Sequence, residues 1–198
     1  MREFEKINQS IATLRTAWET GANKPDKPKS YADMWRSLNH WRFFLLNEYN
    51  DRLDEFKQME SLYNPSVLAK EKARFDSEYA KLVAVVTATF RKTIKELTAA
   101  KHQQVMTMVR TPPTESMRML LATLEMRDDL DSIELYDVMP AFFENYSALR
   151  ALQSISRKNG INLIAPVQMD CAFMHQTIDS AADYLYGCLL YTSDAADE

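Results

Sequence analysis

Apolar residues along positions 2–20 recur at alternating spacings of three and four: Phe4, Ile7, Ile11, Leu14 and Trp18. One narrow stripe of that period predicts a helix packed against another helix. Gly21 is its natural stop. Residues 21–30 carry two prolines and three lysines and read as an exposed linker. Ser30 then caps a second helix, with Asp33 three residues on in an approximate capping box. Its apolar positions include Met34, Leu38, Trp41, Leu45, Tyr49, Leu53, Phe56 and Met59. Local propensity alone would allow a strand over Trp41–Leu46, but the helical spacing on both sides argues for helix. Asn64-Pro65 is a cap followed by a proline at the first helical position. The third helix is expected to run from Pro65 to Arg110, about 70 Å at about 1.5 Å per residue. Leu68, Phe75, Tyr79, Leu82, Val86, Phe90, Ile94, Leu97, Val105 and Met108 approximate one seam along it. The seam weakens between Leu97 and Val105, around Ala100, Lys101 and His102, which leaves room for a break there.

Thr111-Pro112-Pro113-Thr114 ends the long helix. Short helices are expected at 113–127, 132–139, 141–158 and 169–186, with 161–167 extended or loop. Asp131 or Ser132 caps the second of these. Gly160, just after Arg157 and Lys158, closes the third with cations at its negative end. All seven prolines fall at these breaks. The expected fold class is therefore all-α. A long helical hairpin or coiled-coil-like half, residues 1–110, precedes a compact bundle of short helices, residues 111–187. Leu68, Phe75, Tyr79, Leu82, Val86, Ile94 and Leu97 are the expected self-association seam, since long periodic helices commonly pair in coiled coils.

The tail changes the bookkeeping. It reads Cys188-Leu189-Leu190-Tyr191-Thr192-Ser193-Asp194-Ala195-Ala196-Asp197-Glu198. It resembles one translated reading frame of the common transposon-based sequencing-library adapter, which would specify each residue through Asp197 and allow Glu at 198. A segment of that origin carries no information about the natural fold. The resemblance implies that the helix should be read only to about Gly187 and that the natural chain continues differently from there. Sequencing the source DNA beyond the Gly187 codon is expected to show another reading; an intact gene encoding Cys188–Glu198 would refute this.

Setting the tail aside removes three acids from a formal net charge of −4. Residues 1–110 hold 19 Lys/Arg and 14 Asp/Glu, and residues 111–187 hold 5 and 11, so the remainder is near-neutral but dipolar. One cysteine, Cys171, is left, which cannot form an internal disulfide and gives no sign of an oxidising compartment. The opening Met1-Arg2-Glu3-Phe4-Glu5-Lys6 has no signal-like apolar stretch. The longest weakly polar run, Leu82–Phe90, falls far short of the roughly 20 residues of a membrane helix. No membrane association and a cytoplasmic location are expected. Three glycines, where average usage would give about 14, disfavour sheets and phosphate-cradling loops.

Candidate chemistry is thin. Cys171 and His175 are four apart and share a helix face, as a metal site or a nucleophile–base pair would. No second Cys/His pair accompanies them, and His40 and His102 stand alone in sequence, so a small thiol beside a half-exposed histidine is the plainer reading. Asp128-Asp129-Leu130-Asp131 opens like a calcium loop, but Ile133 and Glu134 stand where a ligand and glycine are needed. Helix-start capping explains these acids better. Lys24, Lys27 and Lys29, near Trp18, Tyr31, Trp35 and Trp41, could grip phosphates and stack bases. The tryptophans also fit helical core stripes and the lysines a solvated linker. Met106, Met108, Met117, Met119 and Met126 cluster around Pro112–Pro113 and suit core filling or, alternatively, a partner groove. No Gly-rich phosphate loop, nucleophile elbow or zinc-protease motif occurs. No catalytic residue, metal or cofactor is expected, and an enzyme is not the favoured reading.

The stretch Leu120-x3-Leu124-x-Met126-Arg127-Asp128, followed by Glu134-Leu135, Asn145-x2-Ala148-Leu149-x2-Leu152 and Arg157-Lys158-Asn159-Gly160-Ile161, is similar to helical proteins encoded by bacteriophages and prophages of gut bacteria. The similarity spans about residues 105–161. It implies a virion-assembly or other phage-associated role, in the bacterial host cytoplasm or the virion, and transfers no catalytic residues. The expectation is a non-enzymatic structural, assembly or interaction protein that self-associates or binds a protein partner. The alternative is a nucleic-acid-binding accessory protein using the basic N-terminal half.

Overall fold

A computed structural model of the chain describes residues 2–21, 28–164 and 170–194, with side chains described for 4–21, 28–164 and 170–189. Among the described residues there are helices and turns and no strand. In chain order they are α1 (Arg2–Glu19), α2 (Tyr31–Met59), α3 (Pro65–Arg110), α4 (Glu115–Glu125), α5 (Ser132–Val138), a 3₁₀ turn (Met139–Phe142), α6 (Tyr146–Lys158) and α7 (Cys171–Asp194). The all-α expectation holds. Trp41–Leu46, strand-like by propensity, lies inside α2.

Local chemistry sets most boundaries. Gly21 after α1 and Gly160 after α6 both have positive φ, 85° and 72°, which only glycine adopts without penalty. Ser30 caps α2: its Oγ accepts from the Asp33 amide at 3.1 Å. In a full capping box the third residue reaches back to the cap amide. Here the short Asp33 carboxylate instead accepts a hydrogen bond from the Ser30 hydroxyl at 2.8 Å. Asn64 Oδ1 accepts from the Ser66 amide at 2.9 Å as Pro65 opens α3. Asp131, rather than Ser132, caps α5.

Two boundaries differ from expectation. The expected helix 141–158 begins only at Tyr146. Asn145 takes extended backbone and its Oδ1 accepts from the Ala148 amide at 2.9 Å, so the helix starts after it. Asn145 is 4% exposed, and its Nδ2 donates to the Thr111 and Pro112 carbonyls at 3.3 and 2.9 Å. The proline pair that ends α3 leaves carbonyls without helical partners, and this amide satisfies them. The other difference is α7, which passes Gly187 and runs to Asp194. One helical glycine weakens a helix by about 1 kcal/mol relative to alanine and does not stop it. Leu189 follows Ala182 and Leu185 at helical spacing and is buried with them.

The chain forms two compact units, one of Met1–Leu97 with Ala181–Glu198, the other of Thr98–Ser180. The expected cut at 110 followed a helix end, but α3 runs unbroken and is shared by both units. The weak stretch of its seam, 98–104, is where it leaves one apolar core and enters the second unit. The first core gathers the α1 stripe, Met34, Leu38, Trp41, Leu45, Phe56 and Met59 of α2, Phe75 to Leu97 of α3, and Ala182, Leu185 and Leu189 of α7. Trp18 meets Trp41 edge-on at 4.8 Å between ring centres. The second core joins Leu121, Leu124, Leu130, Leu135, Met139, Phe142, Leu149, Leu152, Ile155 and Leu163. Surface ion pairs such as Arg15–Glu78 at 3.4 Å and Lys158–Glu125 at 2.6 Å tie neighbouring helices and contribute little each.

Candidate functional site

The expected self-association seam is spent inside the chain. Phe75, Tyr79, Leu82, Val86, Ile94 and Leu97 are buried in the first core, and Leu68 packs against it. Helices α1, α2 and α7 supply apolar partners of the kind a second chain would otherwise provide, so all of these residues but the half-buried Leu68 are already covered within the chain. Tyr79 records the dryness of this seam: burial pushes its phenol well above the usual range.

The proposed nucleic-acid contacts fare differently. Lys24 and Lys27 lie outside the described residues, and Lys29 is exposed. Trp18 and Trp41 are core residues, 4% and 1% exposed, and offer no face for a base. The charge contrast also softens once residues are grouped by unit. Up to Gly187, the first unit holds 17 Lys/Arg and 15 Asp/Glu, and the second holds 7 and 10.

The acids at 128–131 act as capping predicts. Asp131 holds the start of α5, Asp129 pairs with Arg127 at 2.9 Å, and Arg127 also binds Glu134. The Arg127 hydrogen bond holds the Asp129 carboxyl below its ordinary range. The methionines divide: Met117 packs on the second core, whereas Met106, Met119 and Met126 are exposed, contrary to core filling. Their positions on α3, and on α4 and its cap, face away from the apolar stripe.

Two arrangements were not visible in the sequence. The first is an apolar groove of about 370 Å³ in the first unit, lined by Tyr31, Ala32 and Trp35 of α2 and Ala181, Tyr184 and Leu185 of α7. Leu185 forms its floor, 1% exposed, while Trp35 and Tyr184 stand up at 43% and 63% exposure. Phe43, two turns along α2, is exposed as well. Trp35 falls off the stripe of Leu38, Trp41 and Leu45, which was the available signal.

The second lies in the other unit. His102 of α3 meets His175 of α7, with Nδ1 atoms 2.5 Å apart. Ring centres are 4.7 Å apart and the planes differ by 23°. That centre separation is what two imidazoles require when both Nδ1 atoms lie on the line between them. The rings therefore meet edge to edge, in-plane lone pairs facing one another. Behind His102, Asp179 Oδ1 accepts from Nε2 at 2.8 Å. A carboxylate there selects the Nε2–H tautomer and leaves Nδ1 as the acceptor. The His102 side chain keeps 30% exposure, so solvent reaches the pair. Cys171, one turn before His175, does not join the two imidazoles in a cluster of three among the described residues; burial, then hydrogen bonding with Cys171, raises the Tyr146 phenol.

Sequence reading found Cys171 and His175 but missed their companions. Asp179 continues the same four-residue spacing and was legible. His102, 73 residues earlier, was not. No family model, curated protein or solved structure matches the chain.

Proposed function

We propose that this chain is a non-enzymatic helical assembly protein that pairs with a second copy of itself through the α2/α7 face of its first unit. The groove beside Trp35 and Tyr184 carries the reading. Its lining is apolar, and two aromatic side chains project at its rim. Tryptophan and tyrosine are favoured anchors in interfaces, and here one of each flanks the same apolar hollow. One surface carries both the projecting aromatic and the hollow that receives it. A two-fold contact uses one patch twice, so each copy inserts its aromatic into the other.

A virion-assembly setting, in the host cytoplasm or the virion, is what the resemblance of the residue pattern over 105–161 would imply; no comparison adds to it. The nucleic-acid alternative retains the basic residues of 1–110 and, of its aromatic residues, Tyr31 and Trp35, but not Trp18 and Trp41.

Trp35→Glu tests the face. A charged side chain there is expected to weaken dimerisation by about 30-fold or more, as loss of an interface anchor does. The melting temperature should hold, because Trp35 lies outside the buried core. Sedimentation velocity reads the association directly. A variant that pairs as tightly as the parent refutes the assignment.

A further inference from the structure

We propose that His102 and His175 form a binding site for a late first-row divalent cation, Cu²⁺, Ni²⁺ or Zn²⁺, in the second unit. The two Nδ1 atoms face one another within hydrogen-bond distance, so without a metal one donates and the other accepts, and a cation can take the place of that single proton. Asp179 decides which nitrogen of His102 is offered: with Nε2–H donated to its carboxylate, the Nδ1 lone pair points at His175. A carboxylate on the far nitrogen of a ligating imidazole is the usual support of histidine metal sites, fixing the tautomer and raising basicity.

The ligands arrive from α3 and α7, so ring positions are set by helix packing before a cation binds. At metal–nitrogen distances of about 2 Å the two Nδ1 atoms open to roughly 3 Å, a side-chain rotation rather than a helix shift. As the rings turn, their lone pairs converge off the line between them, where the cation sits and displaces the proton of that hydrogen bond. Among the described residues no three His, Cys, Asp or Glu groups converge on one point. Water therefore completes the coordination. Imidazole pairs favour copper, nickel and zinc over magnesium and calcium, and affinity should be greatest for Cu²⁺. The Cys171 thiol does not converge with the two imidazoles as a third ligand.

Calorimetric titration of the untagged full chain with CuCl₂, NiCl₂ and ZnCl₂ tests the site. One ion per chain is expected, with Cu²⁺ bound most tightly. His102→Ala and His175→Ala should each weaken Cu²⁺ by about 30-fold or more, Asp179→Asn by about 10-fold, and Cys171→Ser not at all. Electron paramagnetic resonance of the Cu²⁺-loaded parent should show coupling to two imidazole nitrogens, a readout independent of whether any variant folds. Binding that survives both histidine substitutions, or a copper spectrum without that coupling, overturns the proposal.

Discussion

Trp41→Ala is expected to lower the stability of the chain by about 3–5 kcal/mol, the range for truncating a fully buried large aromatic. Trp41 is 1% exposed. Its indole meets Trp18 edge-on at 4.8 Å and Phe44 at 5.6 Å between ring centres. The adjoining void, lined by Leu38, Leu45, Val83, Val86 and Phe90 among others, is only about 10 Å³, so the wall around the ring is already closed. Neighbours drawn from α1, α2 and α3 belong to three helices with their own caps and registers. They cannot collapse into the space together, and the cavity term adds to the lost transfer energy. Urea denaturation measures the loss. Phe43→Ala, two positions on but 63% exposed, should stay within about 0.5 kcal/mol and serves as the control. Equal losses for the two would mean that α2 is rotated from the face described.

Phe142→Ala is the counterpart in the second unit, with an expected loss of about 3–5 kcal/mol. Phe142 is 0% exposed and sits in the 3₁₀ turn between α5 and α6. It packs in one core with Leu135, Leu149 and Leu152, themselves at 0%, 1% and 0%. Helices α4, α5 and α6 are short, and isolated helices of such length are marginal in water. Their order therefore depends on this core more than on propensity. Hydrogen exchange at the Leu149 and Leu152 amides should accelerate along with the drop in denaturation midpoint. Slow exchange at both, with an unchanged midpoint, would contradict the packing.

Helix positions were legible in the sequence wherever a local rule operated. The alternating stripe Phe4, Ile7, Ile11, Leu14, Trp18 became the buried face of α1, and Ser30, Asn64 and Asp131 cap the helices they precede. Each of these depends on residues within a few positions of one another. The seam on α3 was read correctly as a buried stripe, but not what covers it. A 3.6-residue period reports that a face is covered without reporting whether the cover comes from the same chain. Leu82, Val86 and Ile94 meet helices up to a hundred residues away in sequence, and no spacing rule reaches that far. The start of α6 was missed because Asn145 answers to the unpaired carbonyls of Thr111 and Pro112, again distant in sequence. The candidate sites divide in the same way. Cys171, His175 and Asp179 shared one visible face; His102, which gives the cluster its chemistry, is brought there only by the packing of α3 on α7. Trp35 and Tyr184 looked like ordinary helix residues until the fold set them on one rim.

The direct measurement of the assembly proposal is the mass of the untagged chain in solution by light scattering, over a range of micromolar concentrations. Pairing through the Trp35 and Tyr184 face predicts a particle rising to twice the chain mass of 22.9 kDa and stopping there. A mass that stays at 22.9 kDa across the range would contradict it.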